Sequence, residues 1–169
     1  MQRNVFALAI AAAWMAGLGS GFAQSAAPAQ ANKPAAHAMV QGGDVKWGPA
    51  PPSLPPGAQA AVLDGDPGKS GIFVIRLKFP DGYRVPPHSH ATDEHVTVIS
   101  GTVAAGFGDK ADESAMHALT TGGYAKMPGG ANHYVRAQGE AVVQIVGTGP
   151  FVVKYVNPND DPRTKSSKP

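Results

Sequence analysis

From about residue 60 the sequence breaks into short β-prone runs separated by Gly, Pro, Asn and Asp, a punctuation that leaves no room for long helices. Eight runs follow one another: 60–63, Gly71–Phe79, 94–100, 102–107, Tyr124–Met127, 133–137, 141–146 and 151–156. The clearest is Gly71–Phe79, where Phe73, Ile75, Leu77 and Phe79 fall on one face and Arg76 and Lys78 on the other. A period of two marks a half-buried strand. No segment carries a sustained helical period, and 112–119 is the one place where a helical turn is expected. Short strands at this spacing predict an all-β sandwich or barrel.

The residues before this region differ in kind. Residues 1–23 read as a secretory signal peptide, with Arg3 in a short polar start, an uncharged apolar run from Val5 to Leu18, and Gly21 and Ala23 at the −3 and −1 positions of a cleavage site. The run is shorter than the roughly 20 apolar residues a membrane span needs. A periplasmic or secreted protein without membrane insertion after cleavage is the expectation. Residues 24–43, rich in Ala, Gln, Pro and Gly, read as a disordered tether. Residues 44–158 are expected to form the barrel with a Pro-rich N-terminal arm that Trp47 and Leu54 pin down, and 159–169 a flexible tail. With 14 Lys+Arg against 12 Asp+Glu, loss of Arg3 takes the net charge from +2 to +1. So balanced a chain has no electrostatic footprint for nucleic acid. It contains no cysteine, so disulfides are excluded and any metal site must use nitrogen and oxygen ligands.

Five of the six histidines lie between residues 88 and 133, three of them in 88–95. If 88–95 is one extended strand, His88, His90 and Glu94 share a face and His95 points away. Two imidazoles and a carboxylate facing inward are costly unless something pairs them, and a divalent metal does so. His133, which follows a turn set by Pro128 and Gly130, is the natural fourth ligand from an opposing strand. His37 and His117 read as solvated, the first in the tether and the second in a loop. Asp93 is expected to face outward like His95, and Arg76 and Lys78 to lie on a solvated face.

The spacing of these residues resembles the cupin superfamily. Its first motif, G-x5-H-x-H-x3-E-x6-G, is matched at Gly82, His88, His90, Glu94 and Gly101. Its second, G-x5-P-x-G-x2-H-x3-N, is matched at Gly122, Pro128, Gly130 and His133, with Ala137 in place of the final Asn. The resemblance covers about residues 60–156 and implies a double-stranded β-helix, or jelly-roll, barrel. It implies one divalent transition metal (Fe, Mn, Ni, Co, Cu or Zn) held by His88, His90, Glu94 and His133, with room for water, oxygen or substrate. It also implies a homodimer formed through sheet faces or exchanged edge strands. The function expected is a small exported metalloenzyme, oxygenase-like, acting on a small organic molecule. The alternative is a non-catalytic module that binds a metal or small ligand, since the fold does not fix the reaction.

Overall fold

The computed structural model describes residues 37–165. The signal-peptide reading of 1–23 and the tether through residue 36 lie outside the described residues. Nine strands are present among them: β1 (Gly48–Pro49), β2 (Gln59–Asp64), β3 (Gly71–Phe79), β4 (Arg84–Ser89), β5 (Glu94–Phe107), β6 (His117–Thr120), β7 (Tyr124–Met127), β8 (His133–Gly149) and β9 (Lys154–Tyr155). All pairings are antiparallel. The order β1-β2-β3-β8-β4-β9 runs through β8, while β5 pairs β6, β7 and β8. This is the all-β jelly-roll expected. Among the described residues no helix is long and apolar enough to cross a membrane.

Strands β5 and β8 form the spine. They pair along their whole length, from Glu94 opposite Gly147 to Phe107 opposite His133. The sequence led us to expect breaks at 100–102 and 137–141. Instead each strand runs through, because Gly101 and Gly139 take positive φ values of 77° and 79° and bend the chain without ending it. The ladder slips on either side of Ser100. That bulge switches the inward face of β5 from Val96 and Val98 to Val103 and Ala105. An unbent ladder would separate Glu94 from His133 by about 44 Å, at roughly 3.4 Å per residue. The bent one returns them to contact.

The inner face of β3, Phe73, Ile75, Leu77 and Phe79, is buried against Val98, Val143 and Ile145. Each such side chain stabilises the fold by about 1.5–3 kcal/mol relative to exposure. On the outer face Arg76 and Lys78 are half-buried rather than free. Arg76 donates to the Gln144 side chain at 3.1 Å, and the Lys78 ammonium sits 4.9 Å from the Trp47 ring centre. That contact and the packing of Leu54 on the core help hold the N-terminal arm. Two tyrosine hydroxyls hold its backbone as well: Tyr83 donates to Pro55 O at 2.5 Å and Tyr155 to Ser53 O at 2.8 Å.

Three local expectations are corrected. The helical turn near 112–119 is a 3-10 turn confined to Glu113–Ala115, and His117, read as a loop residue, opens β6 while staying exposed. The run 151–156 forms a strand only at Lys154–Tyr155. Its other backbone groups are used elsewhere: Phe151 N donates to Pro67 O, Val152 O accepts from His90, and Val153 O accepts from Arg163. The tail 159–169, expected to be flexible, instead carries in its described part the end of a 3-10 turn at Pro158–Asp160 and one helical turn at Pro162–Lys165, tied back by Arg163.

Candidate metal centre

The site begins with a defect in a strand. β4 carries Pro86 and Pro87, neither of which can donate to a ladder, and its register with β8 slips between Val85 and His88. The slip sets His88 directly across from His133, the first residue of β8, with ring centres 4.3 Å apart. His90 follows β4 in the bend that leads to β5, and Glu94 opens β5. All four are buried, His133 to 1% exposure and Glu94 to 6%.

Backbone carbonyls fix all three imidazoles in one tautomer. The Nδ1 of His88 bonds Pro86 O at 2.7 Å, that of His90 bonds Val152 O at 3.0 Å, and that of His133 bonds Ala131 O at 3.1 Å. A carbonyl only accepts, so in the neutral form of each ring Nδ1 carries the proton and Nε2 offers its lone pair. The Nε2 atoms of His90 and His133 are buried with no hydrogen-bond partner. Glu94 Oε2 stands 3.7 Å from the first and 3.3 Å from the second. One ligand nitrogen from each of the three histidines lies within 4.8 Å of the others. Buried polar atoms are almost always paired, so two orphaned lone pairs beside a buried carboxylate fit a cation between them.

Electrostatics point the same way. Burial pushes His88 down to about 3, with the neighbouring His133 and His90 adding to the effect. Burial also lowers His90, against the pull of Glu94. For Glu94 burial favours the protonated acid, but the His133 side chain beside it, and the positive charge the neighbouring imidazoles carry when protonated, hold the carboxyl below its usual range. Neutral imidazoles at His88 and His90 are the form in which a histidine binds a metal.

The metal-free protein should therefore lose stability as pH falls from 7 to 5. Unfolded, His88 protonates near its ordinary 6.5; folded, it stays neutral down to about 3, so the unfolded chain takes up the proton first. The loss from His88 alone amounts to about 2 kcal/mol at pH 5, and His90 adds in the same direction. Glu94 contributes only below about pH 4.5, where the unfolded carboxyl protonates first. Denaturant titrations of chelator-treated protein at pH 7, 6 and 5 measure it. A flat profile would contradict neutral burial.

One step of the parity reading is wrong although Glu94 does face inward and His95 does not. Residues 88–95 are not one strand: β4 ends at Ser89, the chain bends through Ala91 and Thr92, and β4 and β5 are not neighbours in the sheet. The bend needs no Gly or Pro of its own because hydrogen bonds from elsewhere hold it. Thr92 Oγ1 donates to Thr148 O at 2.7 Å, Gly130 N to His90 O at 2.7 Å, and Gly129 N to Asp93 Oδ1 at 2.9 Å. Asp93, read as merely outward, thus ties the loop bearing His90 to the turn before His133, and its other oxygen pairs with Lys126 at 2.6 Å. His95 is half-buried on the outer face, where its Nδ1 lies 2.7 Å from the Tyr124 hydroxyl. Ala137, at the position of the motif's Asn, is fully buried in the apolar core, where an amide would need partners of its own. Phe151, which the sequence did not flag, stacks on His90 with centres 4.1 Å apart at 16°.

The four residues lie on the wall of a cavity of about 280 Å³ that reaches through the barrel interior between Phe79, Val103, Leu119 and Val143.

No curated protein matches the chain in sequence. Solved structures with the same fold include the polyketide cyclase RemF from Streptomyces resistomycificus, at 17% identity and a TM-score of 0.59 over 79% of this chain and 95% of that one. A candidate acetylacetone dioxygenase from Methylibium petroleiphilum aligns at 18% identity and a TM-score of 0.59 over 79% and 90%. A cupin 2 domain-containing protein from Halorhodospira halophila aligns at 16% and 0.51 over 67% and 83%. These likenesses establish the cupin fold. One family model matches residues 38–168, and its description is a domain of unknown function, DUF4437. This chain folds as a cupin barrel in which three histidines cluster with Glu94 beside them, and it belongs to the DUF4437 family.

Proposed function

We propose that this chain binds one divalent transition metal through His88, His90, Glu94 and His133 and acts on a small organic molecule as an oxygenase-like metalloenzyme. The observation that carries the reading is the pair of orphaned, buried Nε2 atoms beside a buried carboxylate on the wall of an apolar cavity. The metal would supply Lewis acidity and, if redox-active, oxygen activation. The chain's own residues do the rest. Backbone carbonyls of Pro86, Val152 and Ala131 orient the imidazoles, Phe151 fixes the plane of His90, and the apolar walls keep bulk water away. An enzyme in this fold accords with the printed names of two of its structural relatives, a cyclase and a candidate dioxygenase.

The test is elemental analysis of protein purified from its native compartment, followed by oxygen-electrode and product assays on candidate substrates. One metal per chain is expected, with turnover that disappears in His88→Ala. Metal without turnover on any substrate would leave a binding module and end the catalytic half of the reading. We propose in addition that the chain is exported. Its mature form should begin near Gln24 and appear in the periplasmic fraction of a Gram-negative host. Full-length protein in the membrane fraction would overturn this.

A further inference from the structure

The cavity beside the histidine cluster is more uniformly apolar than holding a metal requires. Among the described residues that line it outside His88, His90, Glu94 and His133, no side chain carries a charge, and the one hydroxyl belongs to Ser53, in the N-terminal arm. Its walls come from inward residues of six strands, β3 through β8, together with the arm, the turn at Pro67 and Phe151. Among the described residues, no arginine or lysine lines it to face a second anionic group, and no array of amides or hydroxyls lines it to face a polyol. A polar substituent sent to the far wall would give up its water and find no partner. The cavity volume is about 280 Å³.

We infer that the ligand of this site is a small organic molecule with one polar end, presented to the histidine cluster, and an uncharged apolar body that fills the barrel interior. Sugars, sugar phosphates and molecules charged at both ends are rejected by the walls. The ligand class rests on the metal-site reading for its polar end, but the apolar walls select the body whether or not metal is bound. Leu119 on β6 and Leu54 in the arm, both half-buried, are two wall positions that set the room available.

Isothermal titration with two isosteric phenols tests this. Full-length metal-loaded protein and the same protein stripped by chelator are each titrated with 4-ethylphenol, with 4-(hydroxymethyl)phenol and with glucose 6-phosphate. The first two differ only in a terminal methyl against a hydroxyl. The expected result is that 4-ethylphenol binds at least tenfold more tightly than the diol in both forms, and that glucose 6-phosphate does not bind. Leu119→Trp and Leu54→Trp should each weaken 4-ethylphenol at least tenfold while metal content stays at the wild-type level. If one of them misfolds, which metal content and circular dichroism report, the other carries the comparison. Equal or tighter binding of the diol, or binding of glucose 6-phosphate, overturns the ligand class even if metal binds at one per chain. Should no metal bind while stripped protein keeps the tenfold preference, the metal site falls and the apolar ligand class stands.

Discussion

Glu94→Gln is expected to lower metal affinity by about a hundredfold or more, whereas His95→Ala leaves it within about threefold. The two residues are adjacent, and both side chains are able to bind a divalent ion. Only Glu94 points into the cluster, with its carboxylate 3.3 Å from His133 Nε2 and 3.7 Å from His90 Nε2. It is also the one anion among four buried groups, so it alone offsets the charge of the ion. The amide keeps the shape and removes that charge. His95 lies on the outer face against Tyr124, and its loss removes a surface contact. Competition against a chelating dye, run on both variants side by side, reads the affinities. Loss of metal from the His95 variant with retention by the Glu94 variant would falsify the ligand set.

Gly101→Ala should destabilise the protein by about 3 kcal/mol or more and lower its melting temperature by about 10 °C. Two independent causes act at this position. The backbone φ is +77°, which L side chains rarely adopt, and an added Cβ would lie 2.3 Å from Glu140 O and 2.9 Å from Ala141 Cα. Both obstacles are backbone atoms of the paired strand, so no side chain can swing aside. Gly139→Ala separates the causes. Its φ is +79°, but no atom lies within 4 Å of the added Cβ, so only the left-handed penalty of about 1–2 kcal/mol applies. Urea denaturation of both variants gives the two costs. If Gly101→Ala costs no more than Gly139→Ala, the close approach of β5 to β8 does not govern the bend. Because that bend brings Glu94 to His133, the Gly101 variant should also hold metal less tightly than wild type.

The strand Gly71–Phe79 was legible to the residue, since its alternation reports which side faces the core. The breaks expected in β5 and β8 were illegible for a physical reason: a glycine at positive φ looks the same in sequence whether it ends a strand or bends one. At 151–156 a β-prone run gave up its ladder because His90, Arg163 and Pro67 claim its backbone groups. None of those partners is local.

The candidate site divides along the same line. Residue types and spacing alone marked His88, His90, Glu94 and His133 as one candidate set, because unpaired imidazoles and a carboxylate are costly inside an apolar barrel. The route by which they meet was decided by the tertiary structure. His88 faces His133 through a register slipped by two prolines, His90 is carried by a bend held by Gly130 and Thr92, and Glu94 reaches His133 through the fold-back at Gly101. Side-chain parity is a property of one strand, and these four residues sit on three strands and a bend. Their convergence depends on long-range pairing, which local sequence pattern does not encode.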